Sequence, residues 1–542
     1  MNQIRIKNLR SLKDTGYVDL KPLTLLVGKN SSGKSTFLRF FPLMKQTLST
    51  KKNEPILWYS KEYVDFGSFE DSINRENQGK AIGFEFKFDL FSDFNLPTLL
   101  KVNIKEKIIQ DIEINIFDNT IKINLNKTNK YKLSINDFKV ETDLEVSRPN
   151  VLETLIPNFT LREIPTEEKL NRFINRYSVL NNYFNELLYN KLLSKIEKNK
   201  DQEFQSSLRS DVEKFMQELN LQYLYKILTS DETFLTDLEK ELREHSSSNY
   251  QILSLFDDEK NRDDRENRSN DVIEILKELD PEELQTYTNI LIGSYIYSII
   301  DTCNEYLNYF FSEVHYIAPL RASAQRYYRL QGLSVDEIDP QGENIPMALN
   351  HLDEFKKEKF KLWMKMNFGF EIETKVNGGH ITLNISFGNN ECLNLADTGF
   401  GFSQILPILL LLWRVENKEF ISRKSIYRKK NNKIHNIVIE QPELHLHPAL
   451  QAKLTDTLVK CIEVSRHRGI HLNIILETHS ETIVNRIGQL VYNRKINKEL
   501  INVIIFGDLA SQNPSESCLH SVSYDEEGAI EDWPLGFFYP EV

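Results

Sequence analysis

The spacing of apolar residues changes character several times along the chain. Near the start, Ile4 and Ile6 alternate with polar neighbours, while Leu23-Thr24-Leu25-Leu26-Val27 is an almost unbroken apolar run. The first pattern predicts a strand with one wet face, the second a strand buried on both. A helical spacing follows from Ser35 to about Leu48. Ala81–Leu90 (AIGFEFKFDL) alternates with period two, and Lys101–Ile135 does so repeatedly. These segments predict antiparallel strands with one face in water.

From 150 to 312 apolar residues recur at three- and four-residue intervals, in Glu167–Lys198, Leu208–Leu228, Asp231–Arg243 and Asp271–Phe311. That spacing predicts helices. Asp257–Asn270 has no apolar residue and reads as a solvated loop. No heptad seam is sustained, so a long coiled-coil arm is not expected. From Tyr316 strands and helices alternate. A strand pair Glu371–Phe387 turns at Asn377-Gly378-Gly379, and a long apolar helix runs over Gln404–Val415. Strand Ile434–Ile439, helix Pro448–Arg466, strand Leu472–Leu476, another helix and strand Ile501–Phe506 complete the series. Such alternation predicts a parallel sheet with covering helices. The organisation expected is an N-terminal lobe (1–149), a helical insertion (150–312) and a C-terminal lobe (313–542), in an α/β fold.

Composition narrows the class. The chain has 542 residues, with 40% hydrophobic and 27% charged, so a folded protein of several domains is expected. Sixty-seven basic against 79 acidic residues give a net charge of −12. That excludes a uniformly basic nucleic-acid coat but not a local basic patch. The four cysteines are far apart, which argues against a zinc cluster or a disulfide framework and favours a reducing compartment. No basic-then-apolar leader opens the chain, and Ile405–Trp413 is far shorter than a membrane span. A cytoplasmic protein is expected.

Four motifs carry chemistry. The first is Gly28-Lys29-Asn30-Ser31-Ser32-Gly33-Lys34-Ser35-Thr36, which matches G-x-x-x-x-G-K-[ST] between a buried strand and a helix. Glycines let backbone N–H groups wrap phosphate oxygens at a helix N-terminus; Lys34 would reach the β- and γ-phosphates and Ser35 bind Mg²⁺. The second is Ile437-Val438-Ile439-Glu440-Gln441-Pro442-Glu443, where Glu440 ends a buried strand and would hold the second side of Mg²⁺. His445 and His447 follow, two residues apart in a loop with no third ligand nearby, which speaks against zinc. The third is a buried strand ending in Glu477-Thr478-His479-Ser480, where His479 is placed to donate to a γ-phosphate. The fourth is Gly399-Phe400-Gly401-Phe402-Ser403-Gln404, opening the helix ILPILLLLW.

In this order the motifs resemble the ABC ATPase superfamily. Within it, the phrases PLTLLVGKNSSGKST, YIAPLRASAQRYY, DTGFGFSQILPIL, EQPELHLHP and ETHSE resemble bacterial AAA-family ATPases close to the OLD and Septu PtuA proteins, of the subgroup with a DUF3696-like tail (GAIEDWPLGFF). The likeness covers roughly 1–90 and 316–542. It implies an ABC-type P-loop ATPase head with an antiparallel β lobe and a helical insertion, using ATP and Mg²⁺. It further implies a homodimer or higher even-numbered oligomer, with two ATP molecules sandwiched between P-loop and signature. Gly399, Gly401, Ser403 and Gln404 would then meet nucleotide in trans, and which glycine holds which signature position stays open. A Q-loop glutamine is also implied. Gln46 lies too close to the P-loop for that role, and Phe66-Gly67-Ser68-Phe69 is a positional candidate.

One position departs from the family pattern. Gln441 stands where a catalytic glutamate usually follows the strand-end carboxylate, and Glu443 is the nearest substitute. An amide orients water but accepts no proton, so slow hydrolysis is expected. The chain is too short after His479 for a TOPRIM nuclease, so the group's role as an anti-phage sensor or scaffold would need a separate HNH, TOPRIM or toxin effector, with 150–312 as its platform. The alternative is a DNA-repair or chromosome-maintenance ATPase of RecF/SMC type. Basic residues at 423–433 read either as a solvated loop or as contacts to a nucleic-acid backbone, DNA or RNA, and the cluster Arg321, Arg326, Tyr327, Tyr328 and Arg329 as contacts to nucleic acid, to the nucleotide or to a partner.

Overall fold

The computed structural model describes residues 1–90, 96–116, 119–136, 138–161, 289, 292–293, 296–331, 335–388, 392–417, 433–507, 519–531 and 533. Most of the expected helical insertion, the basic linker and the end of the tail lie outside these residues.

Period-two alternation builds the first layer. Strands β1 (Gln3–Leu9), β2 (Leu12–Asp14) and β3 (Val18–Asp19) open the chain, and β4 (Leu23–Gly28) leads to the P-loop. After helices α1 (Lys34–Ser49) and α2 (Phe69–Ser72) come β5 (Ile82–Leu90), β6 (Leu96–Lys105), β7 (Ile108–Ile116), β8 (Asn119–Leu125), β9 (Tyr131–Ile135), β10 (Phe138–Val146) and β11 (Phe159–Leu161). They form a ten-stranded antiparallel sheet in the order β11-β10-β9-β8-β7-β6-β5-β1-β2, with β3 beside β1. Along β8 the burial alternates, as one wet face requires.

The second sheet gathers strands from both ends of the chain. Helix α3 (Ile296–Ser312) is followed by β12 (Val314–Ile317), β13 (Tyr328–Arg329), α4 (Ile345–Asn350), α5 (Glu354–Phe368), β14 (Glu371–Asn377), β15 (His380–Ser386) and β16 (Cys392–Asn394). Then come α6 (Phe400–Asn417), β17 (Lys433–Glu440), α7 (Pro448–His467), β18 (Ile470–Glu477), α8 (Glu481–Tyr492), β19 (Ile501–Phe506) and β20 (Leu519–Val522). The order is β12-β17-β18-β4-β19-β20, parallel except for the last pair. Thus β4, from the N-terminal stretch, lies between two C-terminal strands, and the two expected lobes share one sheet. Strands β13 to β16 make a small third sheet.

Helix α1 lies between the two large sheets, which explains why most of its residues are buried rather than one stripe. One core joins it to α3 and the antiparallel sheet. There Phe40 packs on Phe84, Phe86 and Phe311 at ring separations of 5.2, 6.2 and 5.9 Å. A second core fills the opposite face of the parallel sheet, between Leu25, Val27, Ile437, Ile439 and Leu476 and the apolar faces of α5 to α8. No described helix is long and apolar enough to cross a membrane.

Candidate nucleotide site

The site forms where β4, β17 and β18 end side by side. The P-loop turns sharply from β4 into α1. Gly28 takes φ 151°, and a Cβ there would stand 2.3 Å from the Phe506 carbonyl oxygen, so no other residue fits. Lys34 is buried and donates to the carbonyls of Gly28 (3.0 Å) and Lys29 (2.6 Å), folding its ammonium into the concavity of its own loop. Burial lowers the Lys34 pKa, and the nearby Glu477 carboxylate opposes that shift. Asn30 and Ser31 are exposed at the loop tip, Ser31 with a left-handed φ of 62°. Thr36 is half-buried, and the Ser32 hydroxyl is buried without a hydrogen bond among the described residues.

Two carboxylates face this loop because β17 and β18 pair in register, Glu440 opposite Glu477. Strand β18, not β17, adjoins β4. Ser35 Oγ therefore donates to Glu477 Oε1 at 2.8 Å. Glu440, the expected magnesium ligand, accepts from Arg39. Arg39 Nε and Nη2 reach its two oxygens at 2.9 and 2.6 Å, and the Tyr316 hydroxyl donates at 2.8 Å. Burial opposes the Arg39 charge, but the bonds and charge of Glu440 outweigh it and raise its pKa. Burial, and then the Glu440 charge, push the Glu477 carboxyl up to about 7. Its Oε2 is buried with no hydrogen bond among the described residues. A buried, unmatched carboxylate oxygen beside a P-loop serine and an unmatched Ser32 hydroxyl is a donor set that fits Mg²⁺ and phosphate.

The following turns are tied to each other. Glu443 accepts from Thr478 Oγ1 (2.9 Å) and from the His479 backbone N–H (2.7 Å). Burial raises its pKa, and those bonds offset part of the rise. Gln441 adopts φ 47°, and its N–H donates to the Glu477 carbonyl at 3.0 Å. His479 is exposed; partial desolvation and the Lys34 charge lower its pKa, which favours the neutral imidazole with one N–H to donate. His445 stands edge-on to Phe400 with ring centroids 4.8 Å apart. His447 Nδ1 accepts from the Ala449 N–H and caps α7. The two histidines thus have separate structural tasks.

The signature segment sits against this turn. Gly399 is exposed with open space beside it, directly before α6, whereas a Cβ at Gly401 would meet the His445 carbonyl oxygen at 2.5 Å. Ser403 is buried and donates back to Phe400 O at 2.8 Å. Gln404 is buried too. Its Oε1 accepts from Arg321 N (3.2 Å) and its Nε2 donates to Arg321 O (3.0 Å). In turn Arg321 Nη2 donates to the Glu440 carbonyl at 2.8 Å. A continuous path therefore runs Gln404–Arg321–Glu440–Arg39, from the signature helix to the P-loop helix. Gln46 holds the 57–64 segment through Leu57 O, Val64 O and Val64 N, and Ser68 caps α2.

Sequence reasoning did not find Arg39, Tyr316 or Glu477. Glu477 carries the same signal as Glu440, an acid ending a buried strand. Arg39 is one helical turn after Ser35 and so shares its face. Arg321 was grouped with Arg326–Arg329, but it points inward, and burial pulls its pKa down to about 10. Arg326 pairs with Asp397 at 2.6 Å on the surface.

Comparison with known proteins agrees with this geometry. The AAA ATPase domain family matches residues 1–484. No curated protein is significantly similar in sequence. Solved structures with some similarity include the SMC head domain from Thermotoga maritima (10% identity, TM-score 0.31, covering 97% of this chain and 98% of that one). Another is the Smc head domain with an extended coiled coil, bound to the C-terminal domain of ScpA, derived from Pyrococcus furiosus (12%, 0.29, 96% and 96%). The family match and the strand order, rather than these low scores, carry the assignment: the chain belongs to the AAA ATPase domain family and is an ATPase of that type.

Proposed function

We propose that the protein binds Mg-ATP at Gly28–Thr36 and closes as a homodimer around it. It then acts as the sensor and scaffold subunit of a bacterial anti-phage complex that gates a separate nuclease or toxin. The observation that supports gating is the path Gln404–Arg321–Glu440–Arg39. It gives the nucleotide pocket a direct mechanical link to the signature helix within one protomer. Exposed Leu320, Tyr327, Leu393 and Phe400 lie on the segments around that helix and suit a contact face.

In this reading Ser35 and Glu477 would hold Mg²⁺, with Glu440 beside them on the paired strand, and the ion would neutralise charge developing on the phosphates. Lys34 leaves its two carbonyl partners for phosphate, His479 donates its N–H from the rim, and Gln441 orients water without accepting a proton. Glu443, already holding Thr478 and His479, positions the two turns. Turnover is slow. A general base contributes on the order of 10²–10⁴-fold, so Gln441→Glu should raise the rate of phosphate release, while Lys34→Ala abolishes it. Fast wild-type turnover that collapses in Glu443→Gln would make Glu443 the base and refute the assignment. Phage protection by the intact operon should depend on Lys34; protection that survives Lys34→Ala would remove the defence reading.

A further inference from the structure

The end of the parallel sheet remote from the P-loop carries a second cluster of ligating side chains. Glu313 immediately precedes β12, His315 lies on β12 and His435 on β17. His315 pairs with Ile437, so His435, two residues before Ile437, is its diagonal neighbour on the same face. One ligand atom from each of the three lies within 4.8 Å of the other two. His435 Nδ1 is 3.3 Å from Glu313 Oε2. That equals the separation of about 3.3 Å between adjacent ligands on a tetrahedral ion with bonds of about 2.0 Å. The two imidazole rings are 5.8 Å apart and tilted. Glu313 and His435 are buried, while His315 is partly exposed.

We propose that Glu313, His315 and His435 form a binding site for a zinc-class divalent ion, separate from the magnesium site. Two imidazoles and one carboxylate suit zinc, whereas Mg²⁺ and Ca²⁺ favour all-oxygen shells. Three protein ligands leave a fourth position for water on the side where His315 meets solvent. The ion would staple β12 to β17 at their N-terminal ends. On β17 His435 stands five residues, roughly 16 Å, before Glu440. The next residue on β12, Tyr316, faces the other way and bonds Glu440. The staple therefore fixes the strand pair that aims Glu440 and Tyr316.

The test uses the full chain, stripped of metal and free of nucleotide, titrated with Zn²⁺ and assayed for bound metal by elemental analysis, with Co²⁺ as a spectroscopic probe. Wild type should take up about one zinc per chain, show a tetrahedral Co²⁺ spectrum and melt at a higher temperature when loaded. His315→Ala, His435→Ala and Glu313→Gln should each lose uptake, while His471→Ala, an exposed histidine on β18, retains it. Should a variant fail to fold, the wild-type titration still decides. No uptake by wild type, or uptake that persists in folded His315→Ala, overturns the proposal.

Discussion

Glu440 and Glu477 end adjacent strands, yet their neighbours treat them differently. Glu440 has a cation and a phenol on its two oxygens. Arg39 is half-buried while Glu440 is buried, so losing Arg39 costs less than the about 3–5 kcal/mol of a fully buried pair, because water reaches part of the site. Among the described residues the Glu477 carboxylate accepts only from Ser35, and burial raises its pKa to about 7. A raised carboxyl favours the folded state only while protonated. Its contribution is complete below the unfolded value near 4.5 and is lost as pH rises through about 7. Glu477→Gln removes that loss. In urea melts without nucleotide or Mg²⁺, the variant should gain stability over wild type between about pH 5 and about pH 8. An equal difference at both pH values would show that Glu477 is not held in this way.

Among the elements, the strands were the most legible. The apolar run Leu23–Val27 became the central β4, and the alternating stretches 81–90 and 101–135 became β5, the end of β6 and β7 to β9, with adjacent pairing. Periodicity reports which face of a segment is dry, so these followed directly. It does not report which strand lies next to which, and that decided the site. The insertion of β18 between β17 and β4 gives Ser35 to Glu477 and leaves Glu440 to Arg39. The inward turn of Arg321 was equally hidden, because its partners are carbonyls 119 and 120 residues away. The proposed effector platform, 150–312, rests on helical spacing alone, and its described ends are β11 and α3. Replacing 162–288 by a Gly/Ser linker should leave ATP binding within about twofold and abolish effector co-purification. Loss of ATP binding with the effector still attached would place the insertion in the ATPase core instead.

At the scale of the molecule, α1 is the hinge of the account, clamped between an antiparallel and a parallel sheet and carrying both Ser35 and Arg39. Its Arg39 is linked through Glu440 and Arg321 to Gln404 on α6, so in the proposed function phosphate contacts at its start would be felt at the signature helix. In the proposed dimer, ATP brings a signature face onto the P-loop of a second copy. Solution mass by light scattering, with and without Mg-ATP, tests it most directly. Wild type should double its mass on adding Mg-ATP. Lys34→Ala should remain a monomer because it loses nucleotide. Gly399→Arg should bind nucleotide and still remain a monomer, because Gly399 is exposed with open space beside it and a long cation there blocks the signature face. Identical masses for all three proteins in Mg-ATP, with equal nucleotide affinity, would contradict the account.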